Sequence, residues 1–491
     1  MARNRTIIDC YTDEPAGLGV PPFLGVWPRY VAGRYRDMPS YMTIDDLRLA
    51  LKKYKPKKHL LDPPHGKTNK KLINSTRSFE KAKNIVKNTD QFIFVAGLQT
   101  PGKYLSAKPA SLSEIKRISK KLETSKILTG PAAEYGSQQY GGSLAEIAQE
   151  KEFDEIRPIH INNYDKLQKI ALKGAKIIKQ IPQRRIIEVE TGKGCIRKKS
   201  CSFCTEPLKN ELDWRTTEQI VEEIKNFMEL GATAFRLGKQ SCIYSFHNGN
   251  VNKLKNLLSG IAKLKPQVFH IDNANPIMID AEKTKLFCKH LTPGSTAAIG
   301  VESFDNKVIR ANNLNTNFEQ VHESIKTLNK FGAERGNNGC YKLLPGLNIL
   351  LGLNKETPET LDINFDRLYQ IMEAGLLFRR INIRKVVPFP GTELAKTAGD
   401  KFLRKNNGFY KNWIKKVRHE IDLPMIKKIF PKGLVIKNLY SEIHDGHTTF
   451  LKQLGSYPIT VGVKRRLPLG KKFNVKIIDH NPRSLTGITI D

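Results

Sequence analysis

The sequence predicts an α/β protein in three parts: an amino-terminal doubly wound domain, a central partial (β/α)6 barrel, and a small carboxy-terminal β domain. Three observations carry this. Short apolar runs alternate with amphipathic stretches through the first 400 residues, the pattern of parallel strands joined by crossover helices. The last 60 residues switch to apolar-polar alternation, the period of an antiparallel β unit. At 491 residues the chain is too long for one core, so two or three domains are expected.

In chain order, RTIIDC (5–10) reads as a short buried strand, and QFIFVAGLQTPG (91–102) as a strand running into a Gly/Pro loop. The stretch KILTGPAAEYG (126–136) repeats that design, with the amphipathic SLSEIKRISKKLE (111–123) between them. Strand, helix, parallel strand is the Rossmann-like, doubly wound arrangement, and it is expected over residues 1–165. The loop GLGVPPFLGVWPRYVAG (17–33) is rich in turn residues but carries no G-x-G-x-x-G, so no dinucleotide fingerprint is present. Residues 180–400 supply six candidate strands: RRIIEVE, AFRLG, QVFHID, AAIGVES, GLNILLGL and RINIRKVVP. The helix between the first two, TTEQIVEEIKNFMELG, places Ile220, Ile224 and Met228 on one face, with Gly231 as its C-cap. Six such units predict a curved parallel sheet with its chemistry at the strand C-terminal ends. A lysine-rich helical linker (401–430) leads to residues 431–491, a small antiparallel β unit of the minibarrel type that binds RNA.

The net charge is +34, and it is uneven. Residues 401–491 hold 19 Lys/Arg against 6 Asp/Glu, and the segment 52–71 holds eight lysines and one aspartate. Such surfaces hold a polyanion through counterion release, which points to RNA, with Lys464, Arg465 and Arg466 as contacts. A basic turn on a structural appendage is the plainer alternative. No run approaches eighteen apolar residues, and MARNRTIIDCYTDEP lacks the apolar core of a signal peptide. A cytoplasmic protein with no membrane partner is expected. Seven cysteines, an odd number clustered in one place, argue for metal chemistry in a reducing compartment rather than disulfides.

That cluster is GKGCIRKKSCSFCTEP, with Cys195, Cys201 and Cys204 spaced C-x5-C-x2-C after the first barrel strand. Thiolates hold iron-sulfur clusters, usually four per 4Fe-4S, and three leave one iron open to a ligand. Gly192 and Gly194 let the backbone wrap an inorganic core, and Lys198 and Lys199 offset thiolate charge. Zinc is the alternative, with a fourth ligand from afar such as His247.

Three close cysteines with an aromatic, Phe203, before the last, after the first strand of a β/α barrel, resemble the radical S-adenosylmethionine (SAM) superfamily. The spacing there is usually C-x3-C-x2-C, so the two extra residues are a departure. GVESF (300–304), LLGLNKETPET (350–360) and VVPFPGTEL (386–394) resemble the fourth-, fifth- and sixth-strand motifs of the branch containing methylthiotransferases and cobalamin-dependent members. RLGKQSCIY (236–244) falls where the second-strand motif sits, and DEPAGLGVPPFLG with VAGLQTPGKYL resembles an uncharacterised archaeal iron-sulfur oxidoreductase group. The resemblance implies a 4Fe-4S cluster on the three cysteines, with its open iron chelating the methionine end of SAM. An electron from a donor such as ferredoxin or flavodoxin would cleave SAM to a 5′-deoxyadenosyl radical that abstracts hydrogen from substrate. By position, Gly238, Lys239 and Gln240 would face the methionyl group, Glu302 and Ser303 the ribose or carboxylate, and Gly352 with Leu353 the adenine. Glu302 would otherwise be a strand-end carboxylate in an ion pair, and Glu356 a cofactor neighbour or a helix cap. Asp272 and Asn273 would face substrate or form a structural turn. Arg380 and Arg384 would contact phosphate or the SAM carboxylate, or be solvated. No catalytic residue is assigned.

The branch's two special features are missing. Methylthiotransferases hold a second cluster on three amino-terminal cysteines, where this chain has only Cys10. Cobalamin-dependent members carry a D-x-H-x-x-G that is absent here. Cys242, Cys288 and Cys340 are expected in the core. What remains is a single-cluster radical enzyme, transferase or oxidoreductase in type, that modifies RNA, with tRNA the expected substrate. A protein or small-molecule substrate is the alternative within the class, and a non-catalytic RNA-binding protein with a structural metal site the alternative outside it.

Overall fold

The computed structural model describes residues 3–11, 23–51, 76–98, 109–138, 142–161, 163–182 and 186–490. The lysine-rich segment 52–71, the start of the 17–33 loop and the loop after residue 98 lie outside them. The chain divides into two compact units. The first comprises Met1–Tyr140, Ala145–Glu188 and Glu222–Thr233; the second comprises Gly141–Leu144, Val189–Val221 and Ala234–Asp491.

The first unit is built on a parallel sheet of β1 (Arg5–Asp9), β2 (Ser40–Thr43), β3 (Gln91–Val95), β4 (Ser125–Thr129) and β5 (Glu155–Arg157), in the order β2-β1-β3-β4-β5. Both faces are covered, as a doubly wound sheet requires. Ile8, Met42, Phe92, Phe94 and Leu128 share one apolar cluster with Ile115 and Ile118 of the helix Leu112–Ser119, which Ser111 caps. The alternate residues Ile7, Tyr41, Ile93 and Ile127 are buried as well. Periodicity did not find β2 and β5, because strands of four and three residues are too short to display a period.

The second unit holds six strands in chain order: β6 (Ile186–Glu190, which enters it at Val189), β7 (Ala234–Gly238), β8 (Val268–Ile271), β9 (Ser295–Glu302), β10 (Leu343–Leu351) and β11 (Arg380–Lys385). β6 lies beside β7 in its sheet, and parallel pairing joins β7 to β8, then β9 to β10 and β10 to β11. Between the two groups, Asn273–Ala274 pairs with Ala298 and Ile299 of β9, so the sheet is interrupted at Asp272. The helix after β6 spans Thr217–Glu229 and ends on Gly231 at φ +93°. Ile220 and Ile224 are buried as expected, but Phe227, not Met228, is the third fully buried apolar residue.

The linker is the helix Lys401–Val417, one π-helical turn (Arg418–Asp422) and the helix Leu423–Ile429. Five strands follow: β12 (Val435–Asp445), β13 (Thr448–Lys452), β14 (Thr460–Val463), β15 (Lys472–Asn481) and β16 (Ser484–Thr489). They close into a barrel in the order β12-β13-β14-β16-β15. The sequence suggested antiparallel pairing throughout, yet β14 and β16 run parallel. Five strands cannot close with every neighbour antiparallel, since alternation round a ring needs an even number. The barrel is narrow: a side chain on Gly487 would come within 2.3 Å of Val475. No helix among the described residues is long and apolar enough to cross a membrane.

Candidate active site

Cys195, Cys201 and Cys204 lie on the loop between the two arms of a short hairpin, Gly192–Lys193 paired with Asp213–Trp214. Gly194 starts it at φ +78°, where an added Cβ would stand 2.6 Å from the Glu211 carbonyl oxygen, so only glycine fits. Its N–H donates to Glu206 at 2.9 Å. The loop is pinned at the buried Ser202, whose hydroxyl donates to Asn312 at 2.8 Å and whose carbonyl accepts from Leu394 N–H. The three thiols act on one another: Cys201 feels the charges of Cys204 and Cys195, and Cys204 that of Cys195. Burial pushes the Cys201 thiol up to about 12 and Cys204 to about 11, with Arg197 pulling Cys201 the other way. Arg197 donates to the Cys201 sulfur at 3.0 Å and to the Asn313 carbonyl at 2.7 Å. This arginine sits inside the cysteine motif and was not singled out from sequence; Phe203 of the same loop is half-buried.

Glu302 closes β9 at a β-bulge, with φ +62° and a register shift between Gly300 and Glu302. The bulge turns the side chain back over its own strand, and its Oε1 lies 2.9 Å from where a Cβ on Gly300 would be. Glycine at 300 is therefore the floor on which the carboxylate rests. Burial pushes Glu302 up to about 8, against the pull of Arg384. Because Cys201 also feels Glu302, the cysteines, Glu302 and Arg384 form one electrostatic neighbourhood. Ser303 is buried, its hydroxyl shared between Asn364 (3.3 Å) and the Asp305 N–H (3.2 Å), which ties the bulge to the next helix.

At the end of β7, Gly238 accepts from Thr191 N–H, and Lys239 takes a left-handed turn at φ +70°. Gln240 is 3% exposed, and its Oε1 accepts from the Thr191 hydroxyl, while its Nε2 has no partner among the described residues. At the end of β10, Gly352 turns at φ +87° against Leu403, and Leu353 is buried. Glu356 caps no helix, because Thr357 takes that place before Pro358–Glu373. Instead it accepts from Gly352 N–H (2.9 Å), Asn406 and Tyr410, fastening the loop to the 401–417 helix.

Asp272 accepts from the Tyr457 hydroxyl at 3.2 Å and stands 3.6 Å from Arg236. Tyr457 belongs to the loop between β13 and β14, at φ +61°. The same loop meets His270, whose Nδ1 accepts from Ser456 N–H. Sequence offered no signal for Tyr457, 185 residues from its partner. Asn273 pairs in the strand fragment after β8. Lys464, Arg465 and Arg466 are all exposed beyond β14, with Arg466 donating to the Gly446 carbonyl. Cys10, Cys242 and Cys340 are buried and Cys288 half-buried, all with free thiols.

The triplet suits a four-iron cluster better than a single ion. Among the described residues no three His, Cys, Asp or Glu side chains converge on one metal position. A cluster needs less convergence, since each thiolate binds a different iron. His247 is held elsewhere, its Nε2 against the Arg215 carbonyl and its ring stacked on Trp214. The Gln240 amide is left as a donor with no partner among the described residues, and the half-buried Glu302 as a carboxyl within the field of the cysteine loop.

A profile of the Radical SAM superfamily matches residues 189–363. An uncharacterized protein of Methanocaldococcus jannaschii is 37% identical over 538 residues, covering 99% of this chain and 93% of that protein. One from Archaeoglobus fulgidus is 34% identical, covering 99% and 90%. Among solved structures, the radical SAM methyltransferase TsrM of Kitasatospora setae, with cobalamin and a [4Fe-4S] cluster bound, aligns at TM-score 0.47 and 12% identity, over 80% of this chain and 77% of its own. The cobalamin-dependent radical enzyme OxsB aligns at TM-score 0.48 and 12% identity, over 84% and 56%. With the cysteine loop and strand-end motifs in place, and with relatives matching along nearly its whole length, the chain belongs to the radical SAM superfamily.

Proposed function

We propose that this radical SAM enzyme functionalises a C–H bond in RNA, with tRNA as substrate. The observation that carries the radical chemistry is the joint placement of Cys195, Cys201, Cys204, Glu302 and Arg384 around the strand ends. The cofactors are a 4Fe-4S cluster and SAM. Bound there, a cluster would supply the one-electron reduction of SAM from which radical chemistry starts. Cys195, Cys201 and Cys204 would be the three thiolate ligands of the cluster, and Arg197, which donates to the Cys201 sulfur, would stabilise that thiolate. Gly238, Lys239 and Gln240 cradle the methionyl end, with the Gln240 amide as donor. Glu302 and Ser303 fix the ribose side, Glu302 as acceptor and Ser303 through the bulge it anchors. Gly352 and Leu353 form the adenine wall. A low-potential donor such as ferredoxin or flavodoxin would supply the electron.

RNA docks on the basic outer surface of the carboxy-terminal barrel. Lys464, Arg465 and Arg466 project from one loop of it, and Lys471, Lys472 and Lys476 are also exposed. Phosphate contacts of this kind give salt-dependent binding that is largely blind to sequence. The test is 5′-deoxyadenosine release by the reconstituted, reduced protein with and without bulk tRNA. Stimulation supports the reading. Release indifferent to tRNA would sink the RNA assignment and leave the radical enzyme.

A further inference from the structure

Arg379 and Arg380 stand in series at the start of β11. Arg379 is 9% exposed, donates to the Tyr457 carbonyl at 3.1 Å, and lies over the Phe430 ring at 5.3 Å. Arg380 is half-buried over the Tyr457 ring at 5.4 Å. Two more arginines come from other parts of the fold. Arg418, on the π-helical turn, donates to the Ile381 carbonyl at 2.8 Å and pairs with Asp422. Arg483, in the turn between β15 and β16, is exposed yet set deep enough to feel Arg418 and Arg379. Arg380 in turn feels Arg483, Arg379 and Arg418.

These four guanidinium groups have one carboxylate among them, Asp422, and Arg418 already holds it. Burial first, then mutual repulsion, lowers Arg380 well below its ordinary value, and burial brings Arg379 down to about 10. Like charges gathered out of bulk water oppose folding unless something anionic joins them. Stacking on Phe430 and Tyr457 orients two of the groups but adds no negative charge. The chemistry is specific, because four planar forks from three separate segments match the oxygens of a phosphate bidentately, which lysines would not. Exposure grades inward from Arg483 at the surface through Arg380 to Arg379, so the cluster has an entrance.

We infer that Arg379, Arg380, Arg418 and Arg483 form a phosphate-binding site that seats a phosphate group of the substrate. Arg380, Asn382 and Arg384 share one face of β11, with Asn382 bonded to Asn348 at 2.9 Å, and Arg384 reaches the field of Glu302. Four residues of strand place the two arginines about 13 Å apart. A phosphate seated at Arg380 thus lies at the end of a polar track that leads to the proposed SAM site. That the phosphate belongs to the substrate rests on the function proposed above; that the site binds phosphate does not.

The test uses the cluster-loaded protein and inorganic phosphate as probe, titrated calorimetrically against chloride at equal ionic strength. Wild type is expected to bind phosphate, Arg483→Gln to bind it at least tenfold more weakly, and Lys255→Gln, exposed on the helix Val251–Lys263, to match wild type. Arg380→Lys, which keeps the charge and loses the fork, is expected to weaken binding as well. Phosphate binding by Arg483→Gln and Arg380→Lys equal to wild type, or no binding by wild type, would overturn the site. Competition by tRNA supports a nucleic-acid phosphate. Competition by a mononucleotide but not by tRNA keeps the site and moves the substrate to a small phosphorylated molecule, which separates failure of the RNA reading from failure of the site.

Discussion

Glu356→Gln probes the loop proposed to wall the adenine. Glu356 is 1% exposed and accepts from Gly352, Asn406 and Tyr410. Burial raises its pKa from 4.5 to about 7, against the pull of those donors. Between these two values the native protein binds more protons at this carboxyl than the unfolded chain does. Native stability therefore falls as pH rises through that window, with no penalty below it and the full penalty above. At about 1.4 kcal/mol per pKa unit the penalty is about 3 kcal/mol. Glutamine carries no such penalty but cannot accept at both oxygen positions, so one buried hydrogen bond is lost, at about 1–2 kcal/mol. The variant is then less stable than wild type at pH 4 by about 1–2 kcal/mol and more stable at pH 8 by about the same amount. Urea unfolding from pH 4 to 8, followed by tryptophan fluorescence, reads this crossover; Trp413 shares the helix that bears Asn406 and Tyr410. A stability difference that stays constant with pH, or turns further against the variant as pH rises, would refute the reasoning.

Cys201→Ser is expected to abolish the visible absorption of the reconstituted cluster and all SAM cleavage while the fold survives by circular dichroism; retained cleavage would remove the cysteine from the ligand set. Gly300→Ala pushes on the Glu302 carboxylate, 2.9 Å from the new Cβ, rather than on backbone. Its cost should fall on activity, up to about 10²-fold, with little change in Tm; the reverse pattern would mark Glu302 as structural. Tyr457→Phe deletes the bond to Asp272 and should cost about 1 kcal/mol in denaturant unfolding. Alanine at Lys464, Arg465 and Arg466 together should flatten the salt dependence of tRNA binding by about 2 in log-log slope, and an unchanged slope would take these residues off the RNA surface.

The parts of the fold legible in the sequence are those with a local cause. Parallel strands announce themselves as apolar runs ending in glycine, and the six barrel strands follow from AFRLG, AAIGVES and their kin. The cysteine loop is legible because its residues are adjacent. What escaped is non-local or too short for a period. Tyr457 meets Asp272 only after the chain has built a second barrel, and the arginine cluster draws Arg379, Arg418 and Arg483 from positions 104 residues apart at the extremes. The Glu302 bulge shows the middle case: GVES reads as a strand end, but the left-handed turn that aims the carboxylate back over Gly300 depends on pairing with β10. The parallel pair in the carboxy-terminal barrel escaped because alternation reports which face a residue takes, not which way its neighbour strand runs.

The most direct measurement is 5′-deoxyadenosine release from SAM by anaerobically reconstituted, dithionite-reduced protein, in the absence and presence of bulk tRNA. Release that rises with tRNA and vanishes in Cys201→Ser is the expected result. No release from protein shown to hold its cluster would contradict the assignment of Cys195, Cys201, Cys204 and Glu302 to radical chemistry.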